Sequence, residues 1–269
     1  TEVCLQGGIH PDFDGDYYIE VTRAVRQAVP DIHVHGFTAL EVTVGARRLD
    51  EPLADYLRRL MDAGLRSLPG TAAEILDDDI RAVLCPDKIN TEEWLEAHRT
   101  AHSVGLRSNI TIMFGSVEQP GHWIRHLLVC RDLQKETGGF TEFVPLPFVH
   151  MEAPIYLKGK ARRGPTFRES LLMHAVARLV LYPLVPNIQA SWVKMGPRGG
   201  HACLAYRWYE TGALQPWRFD GPDGPLDVIV DNVMTVNDTN LLLDGALRGC
   251  GVALLVEGLV VKHIAEGAL

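Results

Sequence analysis

Cysteine is scarce and scattered in this chain of 269 residues. Cys4, Cys85, Cys130, Cys203 and Cys250 form an odd set with gaps of 45 residues or more, a spacing that signals neither a disulfide framework nor a metal site. Cys4, Cys130 and Cys250 stand in apolar surroundings and are expected to be buried, inert thiols. Positive charge is also short, with 26 Lys and Arg against 34 Asp and Glu and a net charge of -8. That balance argues against nucleic acid or an anionic membrane as partner. No apolar run approaches the ~20 residues a bilayer crossing requires, and no basic and apolar leader opens the sequence. A cytoplasmic protein acting on small molecules is the expectation. What the chain does have is apolar content, 46% of its residues, enough to bury a sizeable core.

Strand and helix patterns alternate up to about residue 196. The strand TEVCLQGG passes through a Gly, Asp and Pro loop into DYYIEVTRAVRQAVP, where Tyr18, Ile19, Val21, Val25 and Val29 recur at helical spacing. The strand IHVHGF leads to a helix near EPLADYLRRLMDAG, which carries Leu53, Leu57, Leu60 and Met61 on one face and Gly64 at its stop. LRSLPG is followed by helices over AAEILDDDIRAVL and TEEWLEAHRTAHSVG, then by the strand LRSNITIMFG. The helix PGHWIRHLLVCRDLQKETGG and the strand TEFVPLPF complete the series. Such alternation implies parallel strands with crossover helices: part of a β/α barrel, with a doubly wound open sheet as the alternative.

Barrel chemistry gathers where strands end and loops begin, and polar residues cluster there: Gln6, Gly7 and Gly8; His33 and His35; Thr71 and Glu74; Thr111, Met113 and Gly115; Pro145 to His150. Gly7 and Gly8 read equally well as a tight turn or as a place where backbone N–H groups approach a ligand. His33 and His35 share one face of their strand, either the barrel interior or the helix-covered side. No third ligand follows at suitable spacing, so hydrogen bonding or substrate contact is expected and no metal site. The acids of LDDDIR read as a solvated cluster at a helix N-terminus.

EVCLQGGIHPD, HVHGFTALEV, LRSLPGTAAEILDDDIRAVLCPDKINTEEW, AHSVGLRSNITIMFGSVE and RDLQKETGGFTEFVPLPFVHMEAPIYL occur in order. Together they resemble the tyrosine-using half of deazaflavin (FO) synthase, a radical S-adenosylmethionine enzyme, over residues 1–196. QGG, GLR and TGGFT are shared with cyclic dehypoxanthine futalosine synthase, the alternative, but PGTAAEIL and FVPLPFVH resemble the deazaflavin enzyme more closely. The resemblance implies transfer of the 4-hydroxybenzyl part of L-tyrosine to 5-amino-6-(D-ribitylamino)uracil, with S-adenosylmethionine and a [4Fe–4S] cluster as cofactors. Carried over by position, Gln6, Gly7, Gly8, Glu74, Thr111 and Met113 would contact cofactor. His33, His35, Thr38, Glu41 and Thr71 would contact substrate. The family's Cys-x3-Cys-x2-Cys cluster loop is matched nowhere in this sequence, so the chain as given is expected to be inactive.

The match stops near Gly196. Beyond it, HACLAYRWYETGALQPWRFDGPDGPLDVIVDNVMTVNDTNLLLDGALRGCGVALLVEGLVVKHIAEGAL resembles the closing part of the effector-binding domain of LysR-type regulators. Strands are expected over CLAYRW, GALQPWRF, PLDVIVDNVMTVND and VALLV, with a helix over TNLLLDGALRG capped by Asn237 or Asp238. Val256 stands where that family usually has Pro. The expected organisation is a partial radical-SAM-type (β/α) barrel over 1–196 and a small α/β fragment of LysR-type substrate-binding fold over 197–269. The whole would be a fusion whose tail is either a regulatory fragment or without function. GPRGG at 196–200 suits a flexible joint, since Pro197 lacks an N–H and glycine explores backbone conformations other residues avoid. Limited proteolysis is therefore expected to cut first near Arg198 and to leave a protected N-terminal fragment. Resistance there, with melting in one cooperative step, would contradict the two-part reading.

Overall fold

The computed structural model describes residues 2–191, together with 194, 217–221, 224–228, 243, 246, 247 and 257–266. The chain divides into two compact units, Thr1–Gln189 and Ala190–Leu269.

The first unit contains five strands: β1 (Glu2–Leu5), β2 (His33–Gly36), β3 (Leu65–Leu68), β4 (Arg107–Phe114) and β5 (Phe140–Pro147). They pair in the order β1-β2-β3-β4-β5, every pair parallel. An order that never doubles back distinguishes a barrel segment from a doubly wound sheet, whose strand order reverses at a switch point. The helices are α1 (Gly15–Ala28), α2 (Ala39–Arg48), α3 (Leu53–Ala63), α4 (Asp78–Leu84), α5 (Thr91–Ser103), α6 (Pro120–Thr137), α7 (Pro154–Leu157) and α8 (Phe167–Leu181). Along the outer layer α1 meets α3, α3 meets α5, α5 meets α6 and α6 meets α8. The result is a parallel half-barrel with helices on one side.

The period-two pattern of each strand decides which side is dry. Val34, Leu68, Ile110, Ile112, Phe114 and Phe143 are buried in two apolar clusters, one around Trp94 and Leu127, the other around Tyr56, Leu57 and Leu60. Leu57 and Leu60 have no exposed surface, and each such side chain contributes about 2 kcal/mol through burial. Of the intervening strand residues, Glu2, Cys4, His33, His35, Ser67, Asn109, Thr111, Glu142, Val144 and Leu146 line the concave side, a mostly polar set with apolar positions on β5.

Capping boxes begin α2 (Thr38 with Glu41), α5 (Asn90 with Glu93) and α8 (Thr166 with Glu169). The T-x-x-E pattern of α2 and α8 is visible in the sequence, yet the strand and helix periodicity does not show α2, α7 or α8. The helix expected over 72–84 is shorter, because only Asp78–Leu84 is helical. Ala73 and Ile75 are drawn into the core, Glu74 takes a left-handed φ of 46°, and Asp77 caps the helix by accepting from the Ile80 N–H. The three acids of LDDDIR form that N-terminus; Asp78 and Asp79 are solvated as expected, whereas the Asp77 side chain is nearly buried, because it caps the helix and pairs with Arg125. Cys85 and Cys130 are buried, but Cys4 is exposed, contrary to expectation, because alternate positions of β1 face the cavity on the concave side.

In the second unit, β6 (Trp217–Gly221) and β7 (Gly224–Val228) form an antiparallel hairpin, and α9 spans Glu257–Ala265. The strands expected over 203–208 and 252–256, Cys250, the joint at 196–200, and most of the helix expected over 239–249 lie outside the described residues.

Burial lowers the pKa of His98, of His102 to about 4, of His126 to about 3, and of His174. A buried imidazole resists protonation, whereas the unfolded chain protonates it near the ordinary value of 6.5. Below that pH the unfolded state binds more protons. Stability is expected to be level above pH 6.5 and to fall steadily from there toward pH 4, measured by urea unfolding across pH. A flat profile over that interval would contradict the burial of these rings.

Candidate functional site

The concave side holds a cavity of about 520 Å³. Strand register arranges its lining in tiers. Glu2 sits opposite His33, Cys4 opposite His35, His35 opposite Ser67, and Thr111 opposite Val144. Arg66, Arg107 and Glu142 line the end where the strands begin, and Gln6, Pro69, Thr71 and Leu146 the end where they finish.

Five of the eleven sequence candidates line this cavity: Gln6, His33, His35, Thr71 and Thr111. His33 and His35 face the interior, which resolves the choice their alternation left open. His33, however, begins β2 and so lies at the end opposite Gly7, not at a strand's finishing end. The hydroxyls of Thr71 and Thr111 make no hydrogen bond among the described residues, which leaves both available to a ligand.

Glu41 is fully buried. One carboxylate oxygen accepts from the N–H groups of Gly7 (2.8 Å) and Gly8 (3.0 Å), and the other accepts from the Thr38 N–H (2.8 Å). The Thr38 hydroxyl accepts in turn from the Glu41 N–H (3.1 Å). Gly8, at φ +73°, takes a conformation that L side chains rarely adopt. The glycine amides are therefore spent on Glu41, and Glu41 and Thr38 act as positioning residues for the loop after β1. Glu74 and Met113 are likewise outside the cavity lining. The Glu74 carboxylate pairs with Lys88 Nζ at 2.9 Å, and its carbonyl accepts from the Met113 N–H at 3.0 Å.

A polar chain that the sequence did not reveal crosses the cavity floor. The Gly70 N–H donates to Asn109 Oδ1 at 2.6 Å, which fixes the amide and turns Nδ2 toward His35 Nε2 at 3.4 Å. His35 Nε2 is then the acceptor, so Nδ1 carries the proton and donates to Ser67 Oγ at 2.7 Å. Ser67 donates onward to His33 Nε2 at 2.7 Å. Burial lowers the His35 pKa, so the ring is neutral at pH 7. Strand pairing also brings Glu2 to His33, at 3.6 Å, a neighbour that spacing along the chain cannot show.

An iron–sulfur cluster needs closely placed thiolates. Cys4 lies on β1, Cys85 follows α4 and Cys130 is within α6; burial raises the pKa of both Cys85 and Cys130, which keeps them as thiols. The described residues do not fit such a cluster.

No family model matches the chain. Curated proteins do. It is 53% identical over 204 residues to the FO synthase of Nocardia farcinica, a span of 76% of this chain and 24% of that protein. It is 51% identical over 196 residues to the 5-amino-6-(D-ribitylamino)uracil--L-tyrosine 4-hydroxyphenyl transferase of Methanopyrus kandleri, 73% of this chain and 53% of that one. Three quarters of the chain is homologous to FO synthase. It spans about a quarter of the FO synthases it matches and about half of the archaeal transferase. Among solved structures, methylornithine synthase aligns over 74% of this chain and 52% of its own at TM-score 0.54 and 16% identity. The Elp3 of Methanocaldococcus infernus aligns over 71% and 48% at TM-score 0.50 and 13% identity. These likenesses establish the half-barrel fold. Among the described residues, no helix is long and apolar enough to cross a membrane.

Removing the Glu41 carboxylate would strand three backbone donors, two of them in the loop after β1. Glu41→Ala is expected to cost about 3 kcal/mol, and Glu41→Gln less because one acceptor oxygen remains. Chemical denaturation measures both, and an Ala variant as stable as the parent would refute the clamp.

Proposed function

We propose that residues 1–196 are the substrate-cavity part of a tyrosine-using FO synthase. In the intact enzyme this part would help join the 4-hydroxybenzyl group of L-tyrosine to 5-amino-6-(D-ribitylamino)uracil in deazaflavin synthesis. The observation that carries this reading is the identity above 50% to both named relatives across nearly the whole half-barrel length. A cavity of about 520 Å³ with a polar floor supports it, since a small polar substrate needs fixed donors and acceptors set in a concave site. Cytoplasmic residence agrees with such chemistry.

In this reading Thr71 and Thr111 hydrogen-bond the substrate. Asn109, Ser67 and the neutral His35 form a fixed polar floor beneath it, and the Glu41-clamped loop holds Gln6 at the rim. S-adenosylmethionine would supply the radical when bound beside a [4Fe–4S] cluster. Because the described cysteines do not fit that cluster, no step is assigned to it in this chain. The chain by itself is therefore inactive. Residues 197–269 form a separate segment with the LysR-type resemblance, a boundary supported by the division of contacts near Gln189.

Two measurements test the proposal. Isothermal titration with L-tyrosine and with the ribitylaminouracil is expected to show saturable binding of at least one, weakened about tenfold in Thr111→Val, as fits loss of a buried hydrogen bond. Absence of binding to both would overturn the cavity assignment. After reconstitution with iron and sulfide and reduction with dithionite, no 5′-deoxyadenosine above background is expected; its formation would overturn the inactivity.

A further inference from the structure

We propose that Glu2, His33 and His35 form a site for a divalent transition ion, zinc foremost, at the end of the cavity where the strands begin. Among the described residues this is the one group of three His, Cys, Asp or Glu side chains whose ligand atoms all lie within 4.8 Å of one another. Parallel pairing of β1 with β2 sets Glu2 beside His33, and the period of two puts His35 on the same face. His33 Nε2 and His35 Nδ1 each lie 2.7 Å from Ser67 Oγ, so both ring nitrogens converge on one small volume. Glu2 Oε2 stands 3.6 Å from His33 Nε2.

Ligands of a tetrahedral zinc ion, with bonds of about 2.1 Å, sit roughly 3.4 Å apart. From separations of up to 4.8 Å, the set therefore has to close by up to about 1.4 Å at its widest. Glu2 and His33, with side chains 56% and 44% exposed, have room to rotate into place. Two imidazoles and one carboxylate favour zinc, cobalt, nickel or copper over magnesium or calcium. Three protein ligands leave a fourth position for water or a ligand in the cavity.

The tautomer of His35 sets how tightly the ion is held. Asn109, locked by the Gly70 N–H, presents its Nδ2 to His35 Nε2 and keeps the ring proton on Nδ1, the atom an ion would need. Binding must transfer that proton to Nε2, forgo the Asn109 contact and displace the Ser67 hydroxyl from between the two rings, with no net proton released from His35. Metal-bound histidines ordinarily donate their second N–H to an acceptor, commonly a carboxylate. Asn109 is thus a brake on affinity. Asn109→Asp would keep an acceptor for Gly70 and place a carboxylate oxygen behind His35.

This inference does not depend on the proposed substrate. The test is titration of the chelator-treated full-length chain with zinc, and with cobalt(II) followed by visible absorbance. One equivalent is expected to bind at micromolar concentration, at least tenfold more weakly in His33→Ala and His35→Ala. Asn109→Asp is expected to bind tenfold or more tightly, within the 10- to 100-fold range of outer-shell effects. Identical titrations for the parent and His33→Ala would overturn the site. Should Asn109→Asp fail to fold, histidine 15N spectra of the parent decide. Zinc is expected to move the His35 proton from Nδ1 to Nε2, and an unchanged spectrum would also overturn the proposal.

Discussion

The half-barrel depends on how it satisfies the backbone amides that its glycine-rich loops expose at the finishing ends of the strands. Three of these loops are held by a buried side chain, supplied from another element for the loops after β1 and β3 and from the loop itself after β4. Glu41 takes three N–H groups around the loop after β1 and the start of α2. Glu118 accepts from the N–H groups of Gly115 and Ser116 after β4, and from Trp123 Nε1. Asn109 accepts from Gly70 after β3. An unpaired buried amide costs one to several kcal/mol, so these acceptors convert flexible loops into a defined rim. The same acceptors occupy the amides of Gly7 and Gly8, while Gln6, Thr71 and Thr111 line the cavity.

Inside the rim, the two faces of the sheet follow opposite rules. Toward the helices, large apolar side chains exclude water. On the concave side, polar residues are linked from Gly70 through Asn109, His35 and Ser67 to His33. Neutral hydrogen-bonded groups can remain half-buried where a charge would not, because their partners offset the loss of water. A ligand entering the cavity therefore meets a floor whose donors and acceptors are already assigned.

The relation to FO synthase is close in sequence and partial in extent. Identity near one half across the matched length makes the shared fold secure, while the chain spans only part of each relative. Cavity and rim belong to this part. The thiolates a cluster requires are not gathered among the described residues.

Local pattern alone determined the parallel α/β class, the apolar faces of α1 and α3, the stop at Gly64, and the acidic N-terminus of α4, since all depend on near neighbours in the chain. The capping boxes of α2 and α8 were equally legible, as Thr38 with Glu41 and Thr166 with Glu169. Only the tertiary structure decided that Glu41 clamps a loop 33 residues away, that Cys4 is exposed, and that 71–76 is loop rather than helix. It also brought Glu2 to His33 and aligned Asn109 with His35. Those outcomes rest on which strands pair and in what register, and register is set by burial across the whole sheet, which no window of sequence contains.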